Sequence, residues 1–423
     1  MRTIRFVSIL ILTALSTLLY AGGPFEITGN YTTDTGEKTV QVGGSNFPDL
    51  LEDNIKANGA FSVLDGKAST STLNYAGADN AMRFDINAAG TVAVLEIPIL
   101  NFKRTFTGAN RDELYDEIEK FLKNEGSDVY RRFLEAMNRK SLVAVTDGNP
   151  SSTTATMANA VFEDAGFGGQ EAVAQAVGIE NLNLSLLASM GRINSDNFNG
   201  SIYSLPLGFG YQFTDRVSTK VRMPLTYREI EGAQIYEGSF IVNVPIKVFM
   251  PIDSESSQAV RDSTEESPLS WTLTPSIGIG GAGSADYAAG SMIYMGGLTS
   301  MLGYDFNSFK LTMGNNVNIL KSRSINVSGY EVGGEVDQQI LKNGLKLSIP
   351  FNGKWVAEVY GIHTAFLQSA AVDNYVTVGA QAGMRWYGDA VTGGAGLLLL
   401  GVGGDFGNDY KSFKVRLGSG FRF

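Results

Sequence analysis

The sequence contains no cysteine and only one histidine, His363, among its 423 residues. Without cysteine the chain cannot form disulfides, thiolate metal sites or a thiol nucleophile. A single imidazole does not by itself build a transition-metal site. Ser369 and Asp373 come soon after His363, but their spacing is not that of a known catalytic triad. We therefore expect no enzyme activity, no metal and no cofactor.

Long apolar runs and an excess of positive charge are also missing. After residue 20, no stretch approaches the run of about eighteen apolar residues that a membrane-spanning helix needs. The formal net charge is −10, which argues against nucleic acid as a partner. With 50 glycines and 11 prolines, the composition suits glycine-tolerant strands better than a helical globule.

The N-terminus has the three parts of a secretory signal peptide. A basic start, Met1 to Arg5, precedes an apolar stretch from Phe6 to Tyr20 and then small residues from Ala21 onward. This order predicts a signal peptide over residues 1–21 with cleavage after Ala21. The alternative is an uncleaved N-terminal anchor.

Residues 22–180 have the mixed pattern of an α+β domain. The spacing of apolar residues predicts helices over 111–123 and about 128–138, the first capped by Asn110. We interpret this pair as an αα-hairpin packed on a small sheet, and a partner-binding hairpin is the alternative. The Ser/Thr-rich run 151–160 begins either a third short helix or a linker, and residues 166–178 form the joint to the C-terminal region.

From residue 181 to 423 the pattern changes to period two, which is typical of strands with one apolar and one polar face. About twelve strands of membrane-spanning length succeed one another, so we predict an antiparallel meander that closes into a barrel. In the last of them, Phe413, Val415, Leu417, Phe421 and Phe423 share one parity. Lysine, arginine and glycine occupy the other.

This alternation, the signal peptide and the aromatic residue at Phe423 resemble those of Gram-negative outer-membrane β-barrel proteins. The resemblance is to the class and to no specific family. It implies an outer-membrane location, contact with lipid, and assembly by the barrel-assembly machinery, which would read the five apolar residues of the last strand. An even strand count places both barrel ends in the periplasm, and we expect residues 22–180 there too.

If the apolar parity faces lipid, the other parity faces the lumen, and it is rich in cations with Glu358 as its main acid. The sequence therefore predicts a transport or pore protein, porin-like, whose lumen favours small anionic solutes. Two alternatives remain open: the cations fill a packed barrel, or the barrel anchors or exports the N-terminal domain. The predicted lumen-facing basic residues are Lys220, Arg222, Arg228, Lys247, Lys310, Lys346, Arg385, Lys414, Arg416 and Arg422.

One stretch fits the barrel pattern poorly. The run from Pro251 to Pro268 is a long acidic loop. It falls on the nominal periplasmic side, where outer-membrane barrels have short turns. Either the strand count is off by one nearby, or the barrel carries an unusual loop.

Overall fold

A computed structural model describes residues 23–169, 184–195, 198–249, 268–333, 336–351, 353–387 and 395–421. The predicted signal peptide, the predicted boundary at residue 180, Arg422 and Phe423 lie outside these ranges. So does nearly all of the acidic loop. No described helix is long and apolar enough to cross a membrane.

The N-terminal part is an antiparallel sheet of six strands covered by helices on one face. Asn46 and Asn110 cap the helices that begin at Phe47 and Arg111, by accepting bonds from the backbone N–H groups of Asp49 and Glu113. Two short 3-10 helices, Gly59–Leu64 and Pro98–Leu100, join the elements. In chain order the elements are β1 (Phe25–Thr33), β2 (Gly36–Gly44), α1 (Phe47–Lys56), β3 (Ser69–Tyr75), β4 (Ala78–Ile86), β5 (Val92–Ile97), β6 (Phe102–Thr107), α2 (Arg111–Lys123) and α3 (Ser127–Asn138).

The C-terminal part is a closed barrel with twelve wall positions, which confirms the predicted fold class. The first strand pairs with the last, and strand Ala233–Asn243 pairs with strand Leu269–Ser284, so the ring has no open edge. The short strand Ile246–Phe249 continues the wall position of Ala233–Asn243. The strands are β7 (Leu184–Ser195), β8 (Phe198–Gln212), β9 (Ser218–Ile230), β10 (Ala233–Asn243), β11 (Ile246–Phe249), β12 (Leu269–Ser284), β13 (Ala289–Asp305), β14 (Lys310–Arg323), an outer hairpin of β15 (Ile325–Val327) and β16 (Tyr330–Val332), β17 (Asp337–Phe351), β18 (Trp355–Phe366), β19 (Asn374–Tyr387), β20 (Ala395–Gly407) and β21 (Tyr410–Phe421).

The two faces of the wall differ as the period-two pattern predicts. In β21 the outward side chains Phe413, Val415 and Leu417 are 55, 47 and 55 % exposed. Arg416, between two of them, points inward and is 11 % exposed. An exposed apolar exterior around a polar interior is the arrangement of a barrel that contacts lipid.

The N-terminal part packs on one mouth of the barrel, here called the upper mouth and marked by the β12–β13 turn. At this turn the backbone oxygens of Asp286 and Tyr287 accept bonds from Phe47 N and Tyr75 Oη, both at 2.7 Å. Tyr130 Oη donates to the next carbonyl at 3.0 Å. The cores of the two parts are continuous through these aromatic side chains.

The barrel's own chain ends lie at the opposite, lower mouth, where Leu184 pairs with Phe421. The strands that flank the acidic loop, β11 and β12, also end at the lower mouth. The N-terminal part therefore sits at the other end of the barrel from the start of β7. The even strand count therefore does not determine on which side of the membrane residues 22–180 lie, because the connecting chain crosses the barrel before the first wall strand begins.

This connection, residues 141–169, is the lumen segment. It contains helix α4 (Thr153–Asp164), so the run 151–160 begins a helix and not a linker. Ser152 caps α4 by accepting a bond from Ala155 N at 3.5 Å. The helix has no exposed face: Thr153, Thr154 and Phe162 are each 0 % exposed. A helix buried on all sides lies in a core, and here the core is the barrel interior.

Candidate functional site: the filled lumen

The structure places the predicted basic residues on the inward face of the wall, with Arg422 outside the described residues. Arg222, Arg228 and Lys346 are buried at 2, 0 and 5 % exposure. Lys220, Lys247, Lys310, Arg385, Lys414 and Arg416 are half-buried. Buried cations need partners, and the lumen segment supplies many of them.

Two acidic residues at the end of α4 form the centre of the site, the Glu163–Asp164 cluster. Arg222 Nη1 lies 2.7 Å from Asp164 Oδ1, and its Nη2 lies 3.5 Å from Glu163. Asn243 donates to the second Asp164 oxygen at 2.7 Å. Arg416 of β21, three wall positions from β9, pairs with Glu163 at 2.6 Å. The helix end is thus fixed to β9, β10 and β21 at once.

Backbone oxygens at and beyond the end of α4 are also bound by the wall. Lys220 Nζ donates to the carbonyl of Asp164 at 3.1 Å, and Lys346 Nζ donates to that of Gly166 at 2.6 Å. Arg416 donates to Gly168 O as well. The last carbonyls of a helix lack partners within the helix and carry partial negative charge, so lysine and arginine stabilise them.

Nearer the upper mouth, the wall binds the beginning of the lumen segment. Arg228 Nη2 donates to Val145 O at 3.0 Å. Asp147 accepts bonds from Thr154 and from Gln338 on β17. These contacts run along the whole described length of the segment, so it is held at both mouths.

Two aromatic rings fill the middle of the lumen. Phe162 and Phe167 are stacked with centroids 4.6 Å apart. They lie against Gly314 and Gly344, which pair across β14 and β17. A Cβ atom on Gly344 would lie 2.6 Å from the Phe167 ring, so a side chain there would displace it. The glycines make room for the segment inside the wall.

Two small cavities lie beside the lumen segment. One cavity of about 70 Å³ lies toward the lower mouth. Another of about 60 Å³ lies between α4 and the strands β7 to β9. Between the two mouths, the described residues therefore fill the lumen with the chain's own segment.

Sequence reasoning missed three inward charges. Lys342 is 1 % exposed, contacts Asn159 of α4, and lies 2.8 Å from Thr364 Oγ1. Glu237 pairs with Arg228 at 3.5 Å, and Asp405 pairs with Lys414 at 2.9 Å. Lys342 shares the polar parity of Lys346, so the signal that found Lys346 could have found it. Glu237 and Asp405 were harder to find, because apolar residues such as Ile235 and Leu397 share their parity. Glu358 is one lumen acid among several, and it pairs with Lys346 at 3.1 Å.

The sole histidine is outside this site. His363 is exposed on the outward face of β18, so it does not face the lumen. Among the described residues, no group of histidine, aspartate and glutamate is arranged to hold a metal ion.

No protein-family model and no curated protein sequence matches this chain. Solved structures match it at low identity. The translocator domain of the autotransporter NalP from Neisseria meningitidis is 15 % identical over 64 % of this chain and 98 % of that one, with a TM-score of 0.39. The β domain of the Bordetella autotransporter BrkA is 12 % identical over 58 % of this chain and 100 % of that one, with a TM-score of 0.36. An outer-membrane channel from Pseudomonas putida F1 is 10 % identical over 57 % of this chain and 95 % of that one, with a TM-score of 0.36.

Proposed function

We propose that the protein is an outer-membrane barrel of the transport or secretion class, and that its barrel anchors the N-terminal part at the cell surface. The observation that carries this proposal is the path of the chain: it leaves the N-terminal part at the upper mouth, crosses the lumen as α4, and begins the wall at the lower mouth. A segment that is bound at both mouths serves as a tether and as a plug.

The side of the membrane is inferred from the class resemblance. Barrels of this class with an even strand count keep both chain ends in the periplasm, which makes the lower mouth periplasmic. The upper mouth and the N-terminal part then face outside. This reverses the location expected from the sequence. The proposal retains outer-membrane lipid and the barrel-assembly machinery as partners.

The second candidate is a pore that favours small anions, and the inward lysines and arginines favour it. It requires the lumen segment to leave, because the Phe162–Phe167 stack fills the middle of the lumen. Leaving means breaking the Glu163–Asp164 cluster, whose carboxylates are nearly buried. Separating such a pair without new partners costs several kcal/mol. We therefore expect the resting barrel to be closed.

Single-cysteine labelling of intact cells tests the anchoring proposal. Because the sequence contains no cysteine, only the introduced cysteine of each variant can react. Lys38→Cys in β2 of the N-terminal part and Asp215→Cys in the lower-mouth turn are both exposed positions. A membrane-impermeant maleimide should label Lys38→Cys in intact cells and Asp215→Cys only after the outer membrane is permeabilised. The opposite pattern would contradict the proposal. Equal labelling after permeabilisation is the control for reactivity.

A further inference from the structure

The cavity near the lower mouth is lined by polar groups from several elements. It has a volume of about 70 Å³ and lies between the end of α4 and the strands β9, β12, β13, β14 and β17. One water molecule needs roughly 10–15 Å³ of cavity volume, so this cavity has room for about five heavy atoms. Its polar side chains include Lys220, Ser270, Thr272, Thr274, Lys310 and Lys346.

Three lysines from three strands surround this cavity, and only one of them forms an ion pair with a carboxylate among the described residues. Lys346 is paired with Glu358 at 3.1 Å. Lys220 donates to a neutral backbone carbonyl at 3.1 Å and makes no ion pair among the described residues. Lys310, the first residue of β14, has neither a hydrogen bond nor an ion pair within the described ranges. Asp305, opposite Lys310 in β13, is exposed at the rim.

A buried hydroxyl on the cavity wall also lacks a partner. Thr274 is 1 % exposed, and its Oγ1 makes no hydrogen bond among the described residues. Buried polar groups are nearly always hydrogen-bonded. A buried hydroxyl without a partner among the described residues, beside ammonium groups that lack a carboxylate partner, is therefore suited to bind an oxygen acceptor. The hydroxyls of Ser270 and Thr272 line the same space. All of these groups can donate. The buried carboxylate of Asp164 also lines the cavity, and it is held by Arg222 and Asn243.

We propose that this cavity binds one small tetrahedral oxyanion, a phosphate or a sulfate group. Such an ion has five heavy atoms, matches the space, and accepts from ammonium and hydroxyl donors at several corners at once. Lys310 supplies the unpaired charge, Lys220 adds a second, and Thr274 supplies the buried donor. Ser270 and Lys310 stand at the lower-mouth ends of β12 and β14, so the ion enters from that mouth. The site does not require the lumen segment to move.

The test is titration of the purified full-length protein with inorganic phosphate in phospholipid-free detergent, at constant ionic strength set with chloride. Calorimetry should show saturable binding. Lys310→Met and Thr274→Val should each weaken it about tenfold or more, as expected for the loss of one charge-assisted or buried hydrogen bond. Lys321→Met is the matched control, since Lys321 lies on the same strand but is exposed near the upper mouth and pairs with Asp337. It should bind phosphate like the wild type.

A second arm separates a free ion from a lipid headgroup. The phosphate titration is repeated in micelles that contain an anionic phospholipid, and the lipid should weaken phosphate binding only if its headgroup reaches the cavity. Competition would assign the site to a lipid phosphate, and its absence would assign it to a solute. If the wild type shows no saturable phosphate binding in phospholipid-free detergent, the proposal is overturned. A Thr274→Val variant that folds, as shown by heat-modifiable mobility, and binds phosphate undiminished also overturns it.

Discussion

Arg222 is the residue on which the position of the lumen segment depends most. It contacts both carboxylates of the Glu163–Asp164 cluster, and its side chain is 2 % exposed. Arg222→Met would remove the arginine partner of the buried Asp164 carboxylate. Removing one partner of a buried ion pair costs about 3–5 kcal/mol. We expect a lower unfolding temperature in detergent and faster proteolysis within residues 141–169.

Lys354→Met is the control for this change, because Lys354 is an exposed cation at the lower mouth. Loss of this charge should change the free energy of unfolding by a few tenths of a kcal/mol at most, as for other exposed charges. If Arg222→Met unfolds at the same temperature as Lys354→Met, the cluster does not hold the segment.

Val415 tests the assignment of the outer face at a single residue. It is 47 % exposed and lies between the outward neighbours Phe413 and Leu417. A lysine placed there would face hydrocarbon, at a cost of about 2–4 kcal/mol at the midplane. Val415→Lys should therefore reduce the amount of folded, heat-modifiable protein in outer-membrane fractions. Lys411→Glu, an exposed position beside the β20–β21 turn, should assemble normally.

At the scale of elements, the fit between α4 and the wall depends on glycine. Gly344 faces the Phe162–Phe167 stack, whereas Gly296 on β13 has nothing within 4 Å of its Cβ position and faces outward. Gly344→Leu should push the aromatic pair aside and loosen the lumen segment. We predict steady conductance in planar bilayers for this variant and none for the wild type.

Gly296→Leu provides the same substitution on the lipid side, where an added apolar side chain meets open space. It should assemble and remain closed. Conductance in the wild type, or a closed Gly344→Leu variant of wild-type stability, would mean that the stack does not seal the barrel.

The strands of the wall could be predicted from sequence because each has one face in lipid and one in the lumen, which imposes period two. Helices α2 and α3 could be predicted because they are amphipathic. Helix α4 could not be placed, since it is buried on every side and rich in threonine and alanine, a composition that linkers share. The Glu163–Asp164 pair was the available signal, because two acids preceding a cation-lined barrel are complementary to its interior. Polar strands of the small sheet, such as β3, lacked the apolar alternation that identifies a strand.

At the scale of the whole molecule, the charge of the lumen depends on whether the segment is present. With it in place, Glu163 and Asp164 pair with the wall residues Arg222 and Arg416. With it displaced, the wall retains more inward cations than acids, the acids among the described residues being Glu237, Glu358 and Asp405. Conducting Gly344→Leu channels should therefore give an anion-selective reversal potential in a salt gradient, more strongly at low salt. Cation selectivity would contradict the predicted anion preference of the lumen.

The most direct test of the central claim asks whether α4 lies inside the barrel. Met157 Sδ lies 2.8 Å from the Cβ position of Gly280, on the inward face of β12. In the otherwise cysteine-free chain, Met157→Cys with Gly280→Cys should be joined rapidly by a short thiol-specific cross-linker in the folded protein, giving a shifted band on denaturing gels. Met157→Cys with Gly296→Cys, whose second position faces outward, should not be joined. Equal cross-linking of the two pairs, or none in the first, would place the segment elsewhere.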